Sequence, residues 1–270
     1  MLALVVTFAA LAPCGESQSL AREPVVLQHV TTGEAEPELH AVVSIRIDGE
    51  LVSAGEVLLA AGVEAGKEPM AGLSKWLEAK AQEADLDDER PRLLIRAETN
   101  APFSRLELLL RAAEGWESFL AVGDAAKPDI DRDTGGAGPT TEPRKCLPLS
   151  PRAEDEKLVH AVELRVVEPG NRLMPTRVEN KAWEGEGRYR WDMLTRKVTF
   201  ALGQTELAGY REFVARLQGM RGQLARGGSS LAAGPGVTAG ELALAMDALR
   251  SAGVPSIALA PLASDEEESD

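Results

Sequence analysis

Apolar and polar positions along this chain alternate between two periods, and the switches mark its elements. Val42-Val43-Ser44-Ile45-Arg46-Ile47 alternates and is rich in β-branched residues, which predicts a strand. Asp48-Gly49-Glu50 is a turn signal, and Leu51-Val52 starts the return strand. Between residues 70 and 84, Leu73, Trp76, Leu77, Lys80, Ala81 and Ala84 recur at helical spacing. The acidic run at 85–89 ends that helix, and Pro91 forbids its continuation. Leu93-Leu94-Ile95-Arg96-Ala97 is a continuous run consistent with a central strand. Ser104 is placed to cap a helix over 105–114 that turns Leu106, Leu109, Leu110 and Ala113 to one side. Ser118 to Val122 then predicts a closing strand. Residues 123–153 lose all period, with Asp, Gly, Pro and Thr dominating.

The pattern then repeats. Leu158 to Val167 predicts a strand, an irregular insert follows through Trp191, and Lys197 to Gly203 predicts another strand. Leu207, Tyr210, Val214, Leu217 and Leu224 predict a helix over 205–225. A strand over 229–233, a helix over 239–252 and a strand over 255–260 complete the series. Ala101-Pro102-Phe103-Ser104 aligns with Val237-Thr238-Ala239-Gly240, and Leu106, Leu110 and Ala112 align with Leu242, Met246 and Ala248. A unit used twice must bury its sheet face twice. Strands joined by a crossover helix lie parallel, with right-handed crossings. The expected fold class is therefore α+β: two tandem small mixed β-sheet domains, each with two helices packed on one face in a ββαβαβ-like order. The opposite sheet face is either wet or used for pairing. The expected boundaries are an apolar N-terminal segment (1–14), a spacer (15–40), a first domain (41–123), a linker (124–156), a second domain (157–262) and an acidic tail (263–270).

Composition narrows the function. The formal charge of -14 over 270 residues carries no basic footprint for nucleic acid. Aromatic residues are 4% of the chain, so the cores must be filled by Leu, Val and Ala. Cys14 and Cys146 form no metal-ligand spacing, and His29, His40 and His160 are scattered. A disulfide between the two cysteines and two separate thiols both remain open. The N-terminal run, with Leu2, Leu4, Val5, Val6, Phe8 and Leu11, is the candidate partial membrane anchor or signal, against the plainer reading of a buried N-terminal strand or helix. It is shorter than the roughly 20 residues that a spanning helix needs and lacks the basic start of a secretory signal. Leu11-Ala12-Pro13-Cys14 is similar to a lipoprotein cleavage site, although proline sits beside the cysteine.

The search for catalytic chemistry yields little. Gly234-x-Gly236-x-x-x-Gly240 lies between a strand and a helix, as a phosphate-binding turn would, but its spacing is off and a plain tight turn explains it as well. Asp247 and Arg250 read as solvated or paired helix decoration. Ser229 and Ser230 lack any nucleophile motif. Trp183, Tyr189 and Trp191, with Arg190 among them, form a candidate binding surface for sugar or peptide, against the plainer reading of a hydrophobic hairpin. No catalytic residue, cofactor-binding residue or metal ligand emerges, and no enzyme is expected.

The segment Ala245-Met246-Asp247-Ala248-Leu249-Arg250-Ser251-Ala252-Gly253, with Ile95-Arg96-Ala97-Glu98 and the Ile45 to Leu51 hairpin, resembles the periplasmic domain of the ExbD/TolR family of biopolymer-transport proteins. Met1 to Ala9 also resembles the end of that family's single membrane helix. The resemblance implies a membrane-tethered cell-envelope protein, accessory to proton-motive-force-driven transport, at the inner membrane with its folded part in the periplasm. It implies an ExbB/TolQ-like channel partner. Such domains normally occur once per chain and work as dimers, so the duplication predicts an intramolecular pseudo-dimer. The family's membrane helix carries a proton-translocating aspartate, which by the spacing of the match falls upstream of Met1. Either the true start lies earlier or motor function is lost. The alternative is a stand-alone envelope lipoprotein or secreted binding module with the same fold and no transduction role.

Overall fold

The computed structural model describes residues 25, 27–63, 67–84, 86, 89–124, 145–151, 158–168, 175–178, 188–191, 197–207 and 209–260. The first half comprises β1 (His29–Val30), β2 (Ala41–Ile45), β3 (Leu51–Ser53), β4 (Glu56–Leu59), α1 (Lys67–Glu83), β5 (Arg92–Ala97), α2 (Phe103–Ala112) and β6 (Glu117–Asp124). β7 (Lys145–Pro151) follows. The second half comprises β8 (Leu158–Glu168), β9 (Pro175–Val178), β10 (Arg188–Trp191), β11 (Lys197–Leu202), β12 (Thr205–Leu207), α3 (Tyr210–Gly219), α4 (Arg221–Leu224), β13 (Gly228–Ala233), α5 (Ala239–Ser251) and β14 (Ile257–Ala260).

The architecture is mixed α+β, and the two halves repeat one strand order. The first runs β4-β3-β2-β5-β6 across the sheet and the second β12-β11-β8-β13-β14. The pairing senses also match. β2, β5 and β6 are parallel neighbours, as are β8, β13 and β14. The hairpin strands on the outer side are antiparallel in both halves. Within this order each half adds one strand to the expected unit, namely β4 and β12, while β1 pairs with β6 off the order and β9 and β10 form a separate hairpin. β7 pairs antiparallel with β6 and parallel with β14, which merges the halves into one sheet.

Burial explains why the two halves read differently as sequence. In the first half both sheet faces are covered. Val43, Ile45, Leu93, Ile95, Leu120 and Val122 pack under the helices. Val42, Leu94, Ala121 and Cys146 form a second apolar cluster with Val25 and Leu27 on the opposite face. A strand buried on both sides reads as a continuous apolar run, as Leu93-Leu94-Ile95 does. In the second half Val162, Leu164, Val198, Phe200 and Leu231 face the helices. The intervening Glu163, Arg165 and Thr199 are half-buried or exposed, so β8 and β11 alternate. Phe200 stacks on Phe213 with ring centroids 4.7 Å apart, tying α3 to β11.

Several expected boundaries shift. Part of the predicted spacer is structural: Val25 and Leu27 are buried where they cover the far face of the first half, and Val30 is buried in the main core. The predicted linker contains β7, whose Cys146, Leu147 and Leu149 are buried between the halves. Pro148 and Pro151 hide this strand from a pattern reading, since proline donates no ladder bond. The predicted helix over 205–225 begins only at Tyr210. Thr205–Leu207 instead returns along β11 after a turn at Gly203, whose φ is +59°. Ser104 does not cap α2. The capping position is Pro102, without a side-chain bond.

Candidate functional site

The halves meet where α2 and α5 begin. α5 starts with a capping box: the Glu241 N–H donates to Thr238 Oγ1 at 3.3 Å, and the Thr238 N–H donates to Glu241 Oε2 at 2.8 Å. The remaining helix-start donors reach across the seam. The Ala239 N–H donates to Ala101 O and the Phe103 N–H to Val237 O, each at 2.9 Å, so the two helix starts satisfy each other reciprocally. The Gly240 N–H donates to Thr99 O at 2.9 Å. A Cβ at position 240 would sit 2.6 Å from both Thr99 Cγ2 and Thr99 O, so glycine is required by the closeness of the other half. This accounts for the glycine pattern at 234–240. The Val237 N–H closes a turn onto Gly234 O, Gly236 takes the turn's positive φ of +81°, and Gly240 makes room for Thr99. Of the N–H groups that would cradle a phosphate, those of Val237, Ala239 and Gly240 are bonded to carbonyls and those of Thr238 and Glu241 to the capping box.

A second junction lies at the other end of α5. Asp247 is 5% exposed, and its carboxylate bonds to the segment before β2. Its carboxylate accepts the Thr31 N–H at 3.1 Å, the Thr31 hydroxyl at 2.9 Å, and the Thr32 N–H and hydroxyl at 2.6 Å each. Arg250, one turn on, pairs with Glu34. Glu34 in turn bridges to Cys146 through two backbone bonds of 2.9 Å, and Lys145 Nζ donates to Thr31 O at 3.0 Å. A cleft of about 430 Å³ opens beside this cluster, lined by Thr31, Tyr210, Leu217, Arg221 and Asp247 among others. Burial, and then the Asp247 charge, push the Tyr210 phenol up to about 12. Arg221 Nη2 donates to Ser251 O at 2.9 Å. The carboxylate oxygens of Asp247 are engaged by four donor groups, which suits an anchor and leaves little capacity for proton transfer.

A second cavity, of about 370 Å³, lies near the seam against the end of α2. Phe103, Leu110, Trp116, Leu149 and Leu259 line it, with Arg111 and Glu114 at its edge. In the register that sets Pro102 opposite Thr238, Arg111 and Glu114 correspond to Asp247 and Arg250, with the charges exchanged.

The other sequence candidates fall as follows. Leu2, Leu4, Val5, Val6, Phe8, Leu11 and Trp183 lie outside the described residues, as does Cys14. Tyr189 and Trp191 belong to β10, opposite Arg177 and Pro175 of β9 in a separate two-stranded sheet. His40 Nδ1 accepts the Arg92 N–H at 2.9 Å. Among the described residues no group of side chains is arranged to hold a metal ion, and no helix is long and apolar enough to cross a membrane. Cys146 is a free, buried thiol. Sequence reasoning placed Asp247 and Arg250 on a helix surface but missed Thr31, Thr32 and Glu34 as their partners. A separation of more than 200 residues leaves no local signal for that pairing. Compared with protein-family models, curated proteins and solved structures, the chain matches none.

Proposed function

We propose that this chain is a membrane-tethered cell-envelope protein of ExbD/TolR type that supplies both members of the domain pair from one polypeptide. The observation that supports it is the repeated strand order, with the two units joined through β7 and their helix starts bonded to each other. A tethered second domain is present at high effective concentration, so pairing needs no second chain. In this reading the residues at Leu2, Leu4, Val5, Val6, Phe8 and Leu11 anchor the chain in the inner membrane, the folded part lies in the periplasm, and an ExbB/TolQ-like channel is the partner. The role is mechanical and binding in kind. The buried carboxylate of Asp247 serves as an anchor for the chain's own backbone, which favours this reading over a catalytic one.

Cell fractionation and co-purification test the proposal. The full chain is expected in the inner-membrane fraction, to co-purify in detergent with an ExbB/TolQ-type channel, and to contribute one copy where that family contributes two. A full chain recovered only from the soluble fraction, or from the outer membrane as a lipoprotein, would favour the stand-alone binding module. A chain that forms obligate homodimers at nanomolar concentration would refute internal pairing.

A further inference from the structure

Residues 27–34 touch three parts of the fold in turn. β1 runs parallel to the end of β6, with His29 opposite Gly123. The approach is so close that a Cβ at 123 would lie 2.2 Å from His29 Cδ2. Leu27, with Val25 just before it, covers Val42, Leu94, Ala121 and Cys146 on the sheet face away from the helices. The chain then crosses to the second half, where Asp247 holds Thr31 and Thr32 and Arg250 pairs with Glu34. Gly33 makes the crossing at a φ of +127°, and a Cβ there would stand 3.0 Å from Lys145 Cβ and 3.2 Å from Cys146 O. The segment continues covalently into β2 of the first half, yet the side chains of Thr31, Thr32 and Glu34 bond to the second. Direct strand pairing between β14 and β7 is short, with Ala258 opposite Ser150 and Leu259 opposite Pro151.

From these contacts we infer that residues 27–34 are a releasable clasp: closed, they bridge the two halves and cover Cys146; released, they uncover an apolar sheet face that carries a thiol. The bonds to the second half are polar and lie near the surface, where water can replace them, while the cover over Cys146 is apolar. Asp247 is the residue on which closure depends, because it takes both N–H groups and both hydroxyls of Thr31 and Thr32. Gly33 is the second requirement, because its φ of +127° is strained for any side chain and a Cβ there would crowd Lys145 and Cys146 O on β7. Closure does not rest on the envelope reading. Under that reading the clasp lies between the apolar N-terminus and the folded body, so a pull on the anchor reaches Asp247 through it.

Thiol labelling of the full chain tests the clasp, in a Cys14→Ser background so that Cys146 is the remaining thiol. Labelling at pH 8 without denaturant is expected to be slow in the parent. In Asp247→Ala, through the loss of charge-assisted bonds, and in Gly33→Val, through backbone strain and crowding against β7, it should accelerate about ten- to a hundred-fold. The accelerated rate should depend weakly on urea below the unfolding transition, as a local opening does. Leu77→Ala, in the α1 core and away from the clasp, is the comparison for global destabilisation. Equal acceleration by Leu77→Ala at matched stability, or a urea dependence that parallels global unfolding, would overturn the clasp. Should Asp247→Ala not fold, Gly33→Val and Thr32→Val decide the matter, and a parent-like rate in both overturns it.

Discussion

Replacing Gly240 by alanine tests whether the seam between the halves contributes to the stability of this fold. The new Cβ would be 2.6 Å from Thr99 Cγ2 and from Thr99 O. The methyl could rotate away, but the carbonyl oxygen is backbone and itself accepts the Gly240 N–H at 2.9 Å. Relief therefore requires the two helix starts to separate, which costs that hydrogen bond, about 1 kcal/mol net, plus about 1–3 kcal/mol for the overpacked contact. Alanine's better helix propensity returns up to about 1 kcal/mol. The balance is a loss of about 1–4 kcal/mol, which for a fold of this size lowers the melting temperature by roughly 2–16 °C. Urea unfolding measures the free energy and differential scanning calorimetry the midpoint. Gly72→Ala supplies the control: Gly72 lies within α1, with open space around its would-be Cβ, and should gain about 0.5–1 kcal/mol. If Gly240→Ala matched or exceeded the parent in stability, the close contact between the halves would not exist in solution and the seam argument would fail.

Three further outcomes follow from other sites. Thr238→Ala removes half of the α5 capping box and should cost about 1 kcal/mol in urea unfolding, while Thr238→Ser should cost much less. The Ser229 hydroxyl is buried without a hydrogen-bond partner among the described residues, so Ser229→Ala should leave stability unchanged or raise it by up to about 1 kcal/mol; a clear loss would reveal a missing partner. Burial, and then the carboxylates of Glu34 and Glu36, push the Cys146 thiol up from 9.0 to about 11. Below pH 9 the thiol is protonated in the folded and unfolded chain alike. Above it the unfolded chain sheds the proton while the folded chain keeps it until about pH 11, so stability should fall as pH rises through that window. Melting curves between pH 8.5 and 11 should be less steep in pH for Cys146→Ser, and parallel slopes for the two proteins would contradict a thiol this well covered.

Much of the fold was readable because it is written in local period. Helices α1, α2 and α5 and strands β2, β5, β6, β8, β11 and β13 follow from spacing alone, and the alignment of Pro102 with Thr238 exposed the repeat. The elements that were missed share a physical character. β4 and β12 are three- or four-residue edge strands, too short for alternation to register. β7 is broken by prolines, and the segment from Val25 to Glu34 is stabilised by what it covers rather than by its own pattern. The clasp contacts were illegible for the same reason: Thr31 and Thr32 look like loop residues, and Asp247 looks like a solvated helix charge, until the fold sets them within 3.1 Å of each other.

The sequence by itself determined that one sheet-and-helix unit occurs twice, and the apolar stripe of α1 that is buried, because hydrophobic period is a property of neighbouring residues; α5 is buried nearly all round, which no stripe indicates. Only the tertiary structure decided that the two units share one sheet, that the starts of α2 and α5 are completed by the other half, and that the N-terminal segment bridges them. Those outcomes depend on backbone donors, close approaches and contacts between residues far apart in the chain, none of which leaves a local pattern to read.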